Sequence, residues 1–191
     1  MKVLIAGIGA IGSHVCSNLV ADNHGDWDIT VLDFDRVEER NTRGTQLYTH
    51  DFIGQFKTEA LQYLVYKQYE KKIDIFNGDI HKFLGVSTKQ DLVIDCFDNY
   101  DARNTVQKNY KDFAEVLHIG FSDQMTFAIE WAEHYNVPTD ITSGIDICEM
   151  QGAASFVKYV ACLGSLVVQE WVYNKKKRDF IGSKFTLHEI I

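Results

Sequence analysis

Apolar and polar positions fall into short blocks along this chain, and the spacing inside each block predicts an element. Val3-Leu4-Ile5-Ala6 is a continuous apolar run, opening at Lys2, that fits a buried parallel strand. Gly7-Ile8-Gly9-Ala10-Ile11-Gly12 follows, and Ile11, Val15 and Leu19 then recur at helical spacing through Val20. A second strand over Asp28 to Leu32 ends at Asp33. Strand, glycine turn, helix and strand make a βαβ unit of about 30 residues.

Val37 to Phe56 has no clear period and reads as a long ordered loop, a kind of segment that often carries function. Lys57 to Tyr69 places Leu61, Leu64, Val65 and Tyr69 on one helical face. A third strand is expected over Ile73 to Phe76, punctuated by Asn77-Gly78, and a fourth over Leu92 to Cys96, followed by Phe97-Asp98-Asn99. A helix from Tyr100 to about Tyr110 and strands over Val116 to Ile119 and Thr126 to Trp131 come next. Glu133 to Asp146 holds the only proline, Pro138, and reads as a connection. Gly152 to Val172 is a long apolar helix ending near Lys175-Lys176-Lys177-Arg178, cations suited to a helix C-terminus, and Phe180 to Ile191 is a last strand. Strands alternating with helices predict an α/β fold, a doubly wound and mainly parallel sheet with helices on both faces. A chain of 191 residues fits a single domain over residues 1–191.

Composition narrows the classes of function. A hydrophobic content of 46% is that of a globular protein, and a formal net charge of −8 argues against nucleic-acid or membrane-surface binding through bulk electrostatics. Cys16, Cys96, Cys148 and Cys162 are widely spaced without a CxxC pair, which points to a reducing, cytoplasmic setting and away from a disulfide framework. Cys16, Cys96 and Cys162 are expected in the core. With no CxxC pairs and seven scattered histidines, no zinc site is expected. Met1 leads straight into a strand, so no signal peptide is expected, and Lys158 and Gln169 interrupt the apolar stretch that would otherwise suggest a membrane span.

The first candidate chemistry is the glycine loop. In Gly7-x-Gly9-x-x-Gly12 the first glycine permits a tight turn, the second lets backbone approach a phosphate, and the third lets helix pack on strand. The helix N-terminus behind it offers free N–H groups and a positive dipole to an anion. Asp33, at the end of the second strand, is placed to accept from ribose hydroxyls. These features predict a nucleotide site without separating ATP from NAD.

Further along stand Asp33-Phe34-Asp35-x-Val37-Glu38, Asn41, Gly54-Gln55-x-Lys57 and Leu92-Val93-Ile94-Asp95-Cys96-Phe97-Asp98-Asn99 with Arg103-Asn104. In the order and spacing of these motifs the sequence resembles the ThiF/MoeB/E1-like adenylyltransferases, well over Lys2 to Phe127 and more loosely around Gly164-Ser165. The resemblance implies a Rossmann-like fold. It also implies ATP-dependent activation of the C-terminal carboxylate of a ubiquitin-like or sulfur-carrier protein, or of a peptide, as an acyl-adenylate. On the matching positions, Gly7, Gly9, Gly12, Asp33 and Asn41 would bind the nucleotide, Lys57 its phosphates, and Asp98 the Mg²⁺ ion. Asp98 also suits a helix N-cap, Lys57 a solvated helix surface and Asn41 a simple loop turn. Arg103 is expected to pair with a neighbouring carboxylate.

The chain departs from the family pattern at two places. The family's Asn-x-x-Arg-Gln is here Asn41-Thr42-Arg43-Gly44-Thr45-Gln46, with Arg43 one position early, and the helices that commonly precede the family's first strand are not in this sequence. Some relatives pass the acyl group to a cysteine; Cys148, ahead of the long helix, occupies roughly that region. By the same resemblance a homodimer is expected, with the glycine-loop region and the long helix between subunits. A partner surface is expected near Phe121 to Trp131, through Phe127 and Ile129. An NAD-dependent oxidoreductase and a non-catalytic nucleotide-binding or scaffold subunit stay open as alternatives.

Overall fold

A computed structural model describes residues 1–23, 27–86, 89–138 and 150–190. Eight strands form one sheet in the order β3-β2-β1-β4-β5-β6-β7-β8. These are β1 (Lys2–Ala6), β2 (Asp28–Asp33), β3 (Asp74–Asn77), β4 (Leu92–Asp95), β5 (Glu115–Phe121), β6 (Thr126–Trp131), β7 (Asp179–Ser183) and β8 (Thr186–Ile190). The helices are α1 (Ala10–Asp22), α2 (Lys57–Tyr69), α3 (Ile80–Val86), α4 (Tyr100–Tyr110) and α5 (Ala153–Asn174). The first five strands are parallel, with registers such as Ile5 opposite Val31 and Ile94; β6, β7 and β8 are antiparallel to their neighbours.

Alternation along β1 sorts the core onto two faces. Val3 and Ile5 point into a cluster with Val15, Leu19, Leu61, Val65, Val157, Val160 and Val168, under α1, α2 and α5. Leu4 and Ala6 point the other way, to Ile80, Phe83, Val106 and Tyr110 of α3 and α4. A strand covered on both sides cannot alternate polar with apolar, which is why Val3 to Ala6 reads as an unbroken apolar run. Burying each such aliphatic side chain contributes about 1.5–3 kcal/mol.

The strand order reverses between β1 and β4, since β2 and β3 lie on one side of β1 and β4 and β5 on the other. Open α/β sheets bind ligands in the crevice at such a switch point, at the carboxyl ends of the strands. The glycine turn after β1 and Phe97-Asp98 after β4 flank that crevice. Two further turns stand on the same edge: Ser122 to Met125 between β5 and β6, and Lys184-Phe185 between β7 and β8. The Lys184 N–H donates to the Met125 carbonyl at 3.1 Å and so ties one tip to the other.

Four expectations change. α3 had no counterpart in the sequence reading. Phe180 to Ile191, expected as one strand, is the hairpin β7–β8. Phe127 and Ile129 are buried beneath α5, where Phe127 meets the rings of Phe156 and Tyr159, because that side of β6 faces the long helix; they do not form a partner surface. Cys162 is exposed on α5, while Cys16 is in the core. Among the described residues no helix is long and apolar enough to cross a membrane.

Candidate functional site

The glycine turn is shaped by contacts that side chains would forbid. Gly7 has φ +82°, and a Cβ there would lie 3.0 Å from the backbone nitrogen of Phe97. A Cβ on Gly12 would lie 2.0 Å from the Gly7 carbonyl oxygen, so this glycine is what lets α1 start so close to the turn. A Cβ on Gly9 would meet nothing within 4 Å; the middle of the turn is open.

Asp33 closes the turn from the end of β2. It is 7% exposed, and its carboxylate accepts from the Ile8 N–H at 2.9 Å and the Asp35 N–H at 2.8 Å. Burial pushes its carboxyl above the usual carboxylate range, against the pull of the Lys57 charge and these two amides. From the other side, the Tyr48 hydroxyl donates to the Ile8 carbonyl at 2.7 Å.

The segment from Arg36 to Phe56 leaves the sheet and returns to its starting point. Val37 N–H donates to Gln55 O and Gly54 N–H to Val37 O, each at 2.9 Å, and the Arg36 guanidinium stacks 3.9 Å over the Phe56 ring. The Lys57 N–H then donates to the Asp35 carbonyl at 2.9 Å, and its Nζ reaches Asp35 Oδ2 at 2.7 Å. Lys57 is therefore a buried lysine at the crevice, its side chain 8% exposed, and not a solvated helix-surface residue. Asp35 meets it with a half-exposed carboxylate.

Asn41 is buried in a 3₁₀ turn over Glu39–Thr42, where its Oδ1 accepts from the Glu38 N–H at 2.8 Å. That oxygen shapes the turn, as the simple turn reading expects, while the amide NH₂ has no partner among the described residues. Arg43 ends the same turn, exposed, and Gly44 follows at φ +95°. The chain takes a left-handed conformation at the position where the family pattern has its arginine, which strains any side chain but glycine.

On the other side, Asp98 is exposed three residues past the end of β4 and has no hydrogen-bond or ion-pair partner among the described residues. The capping role open to it is taken by Asn99, whose Oδ1 accepts from the Ala102 N–H at 2.9 Å. Three residues earlier, Asp95 is fully buried. Its Oδ1 accepts from the Phe97 N–H at 3.0 Å, and its Oδ2 lies 2.7 Å from His118 Nδ1 and 3.8 Å from the Arg103 guanidinium. Burial alone would raise this carboxyl, but Arg103, His118 and the Phe97 N–H outweigh it and hold it below the usual range. Arg103 thus pairs with a neighbouring carboxylate, and it also donates to the Ile119 carbonyl at 3.0 Å and the Tyr135 hydroxyl at 2.9 Å. His118 Nε2 lies 2.7 Å from Gln107 Oε1, and its ring stacks on Tyr135 at 3.9 Å.

Gly7, Gly9, Gly12, Asp33 and Asp98 thus stand at or just past the carboxyl ends of β1, β2 and β4, with Lys57 tied to Asp35 beside them and Asn41 and Arg43 on the intervening loop. Cys148 lies outside the described residues. Tyr48, His118 and Tyr135 had no sequence signal: each is an isolated residue whose role depends on a partner distant in the chain. The described residues contain no cluster of three or more histidine, cysteine or acidic side chains placed to hold a metal. A magnesium nucleotide asks for less, since Mg²⁺ is commonly held by one or two carboxylates together with substrate phosphates.

Residues 1–186 match the ThiF family. The chain is 30% identical over 128 residues to the molybdopterin-synthase adenylyltransferase of Haemophilus influenzae, covering 65% of this chain and 51% of that protein. To the enzyme of the same name from Escherichia coli it is 32% identical over 106 residues, 54% of this chain and 42% of that protein. The chain therefore spans about half the length of the curated relatives it matches. Among solved structures, E. coli MccB with ATP superposes with a TM-score of 0.75 at 19% identity, over 99% of this chain and 62% of that one. E. coli MccB with AMPCPP and MccA gives 0.77 at 18%, over 99% and 63%. Both are similarities of fold.

Proposed function

The chain belongs to the ThiF family, and from that premise we propose that it binds ATP with Mg²⁺ at the switch-point crevice and activates a partner's C-terminal carboxylate as an acyl-adenylate. A carboxylate oxygen of the partner attacks the α-phosphorus, the bond from that phosphorus to the α,β-bridging oxygen breaks, and pyrophosphate leaves. Both reactants are anions, so the site must align them and offset their charge.

The residues supply those needs. The glycine turn and the N-terminus of α1 would receive the phosphates, with Lys57 as the adjacent buried cation and Asn41 and Arg43 on the flanking loop. Asp33 would take the ribose hydroxyls. Asp98 would hold Mg²⁺, whose contribution when bound is to neutralise phosphate charge. The observation that carries this reading is Asp98 itself: an exposed carboxylate after β4 with no partner among the described residues, its capping role already filled by Asn99. The molybdopterin-synthase adenylyltransferases and the MccB structures with ATP support the choice of ATP over NAD. The acceptor is proposed as a ubiquitin-like or sulfur-carrier protein, or a peptide, with a free C-terminus. Tyr159, Leu166 and Tyr173 are exposed along α5, and a homodimer formed through that helix is part of the proposal.

The test is exchange of labelled pyrophosphate into ATP in the presence of candidate acceptors. Exchange that depends on acceptor and Mg²⁺ supports the reading; ATP binding without exchange for any acceptor favours a nucleotide-binding subunit that lacks the chemistry. The engagement of Lys57 by Asp35 and the displaced Arg43 are the features behind that second reading.

A further inference from the structure

The Ile8 residue in the glycine turn is gripped at both of its backbone groups: its N–H by Asp33 at 2.9 Å and its carbonyl by the Tyr48 hydroxyl at 2.7 Å. The Ile8 carbonyl and the Gly9 N–H belong to one peptide unit. That unit is planar and trans, so the two groups point in opposite directions. Whatever holds the carbonyl inward therefore turns the N–H outward. The Gly9 N–H has no acceptor among the described residues, and the turn is open around Gly9.

We propose that Tyr48 is a positioning residue for the nucleotide's phosphates: its hydroxyl fixes the rotation of the Ile8–Gly9 peptide and so aims the Gly9 N–H at the anion. This rests on the ATP reading given above. Tyr48 is suited to the role. Its ring is 2% exposed within the larger core cluster, so the hydroxyl is presented from a fixed base. Burial, with Asp33 nearby, pushes the phenol well above its ordinary range, so the hydroxyl stays a donor. The loop that carries it is held to α1 by His14, whose Nε2 lies 3.2 Å from the Thr45 carbonyl. The position of Tyr48 in a long aperiodic loop is thus coupled directly to the geometry of the turn. Without the hydroxyl, the Ile8 carbonyl loses its buried donor and the peptide loses that restraint on its rotation, which loosens the aim of the Gly9 N–H.

The experiment is calorimetric titration of wild type and Tyr48→Phe with Mg·ATP and, separately, with adenosine, which lacks phosphate. Phenylalanine keeps the ring in the core and removes only the hydroxyl. The expected result is ATP binding weakened ~tenfold with adenosine binding unchanged. Equal ATP affinity in the two proteins overturns the inference, and so does an equal loss for ATP and adenosine, which would mark a general structural role. A second measurement needs no variant: the Gly9 amide resonance of the wild type should move on adding Mg·ATP and stay in place with adenosine. An amide that ignores ATP while the protein binds it overturns the inference and leaves the nucleotide reading intact. A wild type that binds no ATP at all removes both.

Discussion

Lys57 Nζ and Asp35 Oδ2 stand 2.7 Å apart, joining the first residue of α2 to the turn just after β2 across the Arg36–Phe56 excursion of the chain. The same two residues are linked through their backbones, so the lysine is set in place before any ligand arrives. Lys57→Met keeps most of the stem packing and deletes the charge. Pyrophosphate exchange is expected to fall about 10²-fold, the scale for losing one preorganised electrostatic group. Asp35→Asn should cost no more than about 1 kcal/mol of stability, because its carboxylate is half-exposed and screened. If Asp35→Asn lost as much exchange as Lys57→Met, Asp35 would have to be reassigned to the reaction itself.

Asp98 and Asn99 are adjacent and should separate cleanly. Asn99→Ala removes the cap of α4, a loss of about 1 kcal/mol that lowers Tm by ~2–4 °C. Asp98→Ala should leave Tm within about 1 °C of wild type, as expected of an exposed surface site, and reduce exchange by ~10²-fold or more. Thermal melts and exchange assays on both variants check this. An Asp98→Ala protein that melted early but exchanged normally would make Asp98 structural.

Asp95 gives a pH dependence with a definite sign. Its folded pKa lies below the ordinary 3.8, so the stability it contributes is fully present above pH 3.8 and is lost as pH falls through the lower folded value. Asp95→Asn leaves Arg103 and His118 without their shared buried carboxylate, at a cost of about 3 kcal/mol near neutral pH. Urea unfolding of both proteins should show that difference as constant down to about pH 5 and narrowing at more acid pH. A difference that widened on acidification would contradict the assignment.

Gly12→Ala places a methyl group 2.0 Å from the Gly7 carbonyl oxygen, and α1 must shift to accommodate it. A loss of about 1–3 kcal/mol is expected in denaturant titration, with weaker ATP binding because the turn moves with the helix. Unchanged stability would mean the close approach of α1 to the turn is not rigid.

Much of this arrangement was legible in the residues, and the failures have physical causes. α2 was bounded at both ends by Lys57 and Tyr69, because Leu61, Leu64 and Val65 keep one face apolar over several turns. The sequence marks both ends of β6 but not its cover: alternation shows that Phe127 and Ile129 share a side, not that α5 lies over it. α3 has seven residues and buries only Ile80 and Phe83, too little to establish a period. The β7–β8 turn at Lys184-Phe185 contains none of the usual turn residues, so the hairpin read as a single strand. In the site, the glycines, Asp33, Lys57 and Asp98 carried a signal because their spacing is local to strand ends. Tyr48 and Asp95 act through Ile8 and His118, 40 and 23 residues away, and no local pattern reports such pairings.

The two tied hairpin tips have a practical consequence for altering the protein. Joined in this way they form a rim on the carboxyl edge of the sheet, beyond β5, and short exposed turns are where chains accept added residues most readily. Lengthening one tip alone must break or stretch the Lys184–Met125 link, whereas lengthening both together can extend the rim as a unit. The height of this part of the edge is therefore adjustable independently of the parallel strands that precede the glycine turn and Asp98.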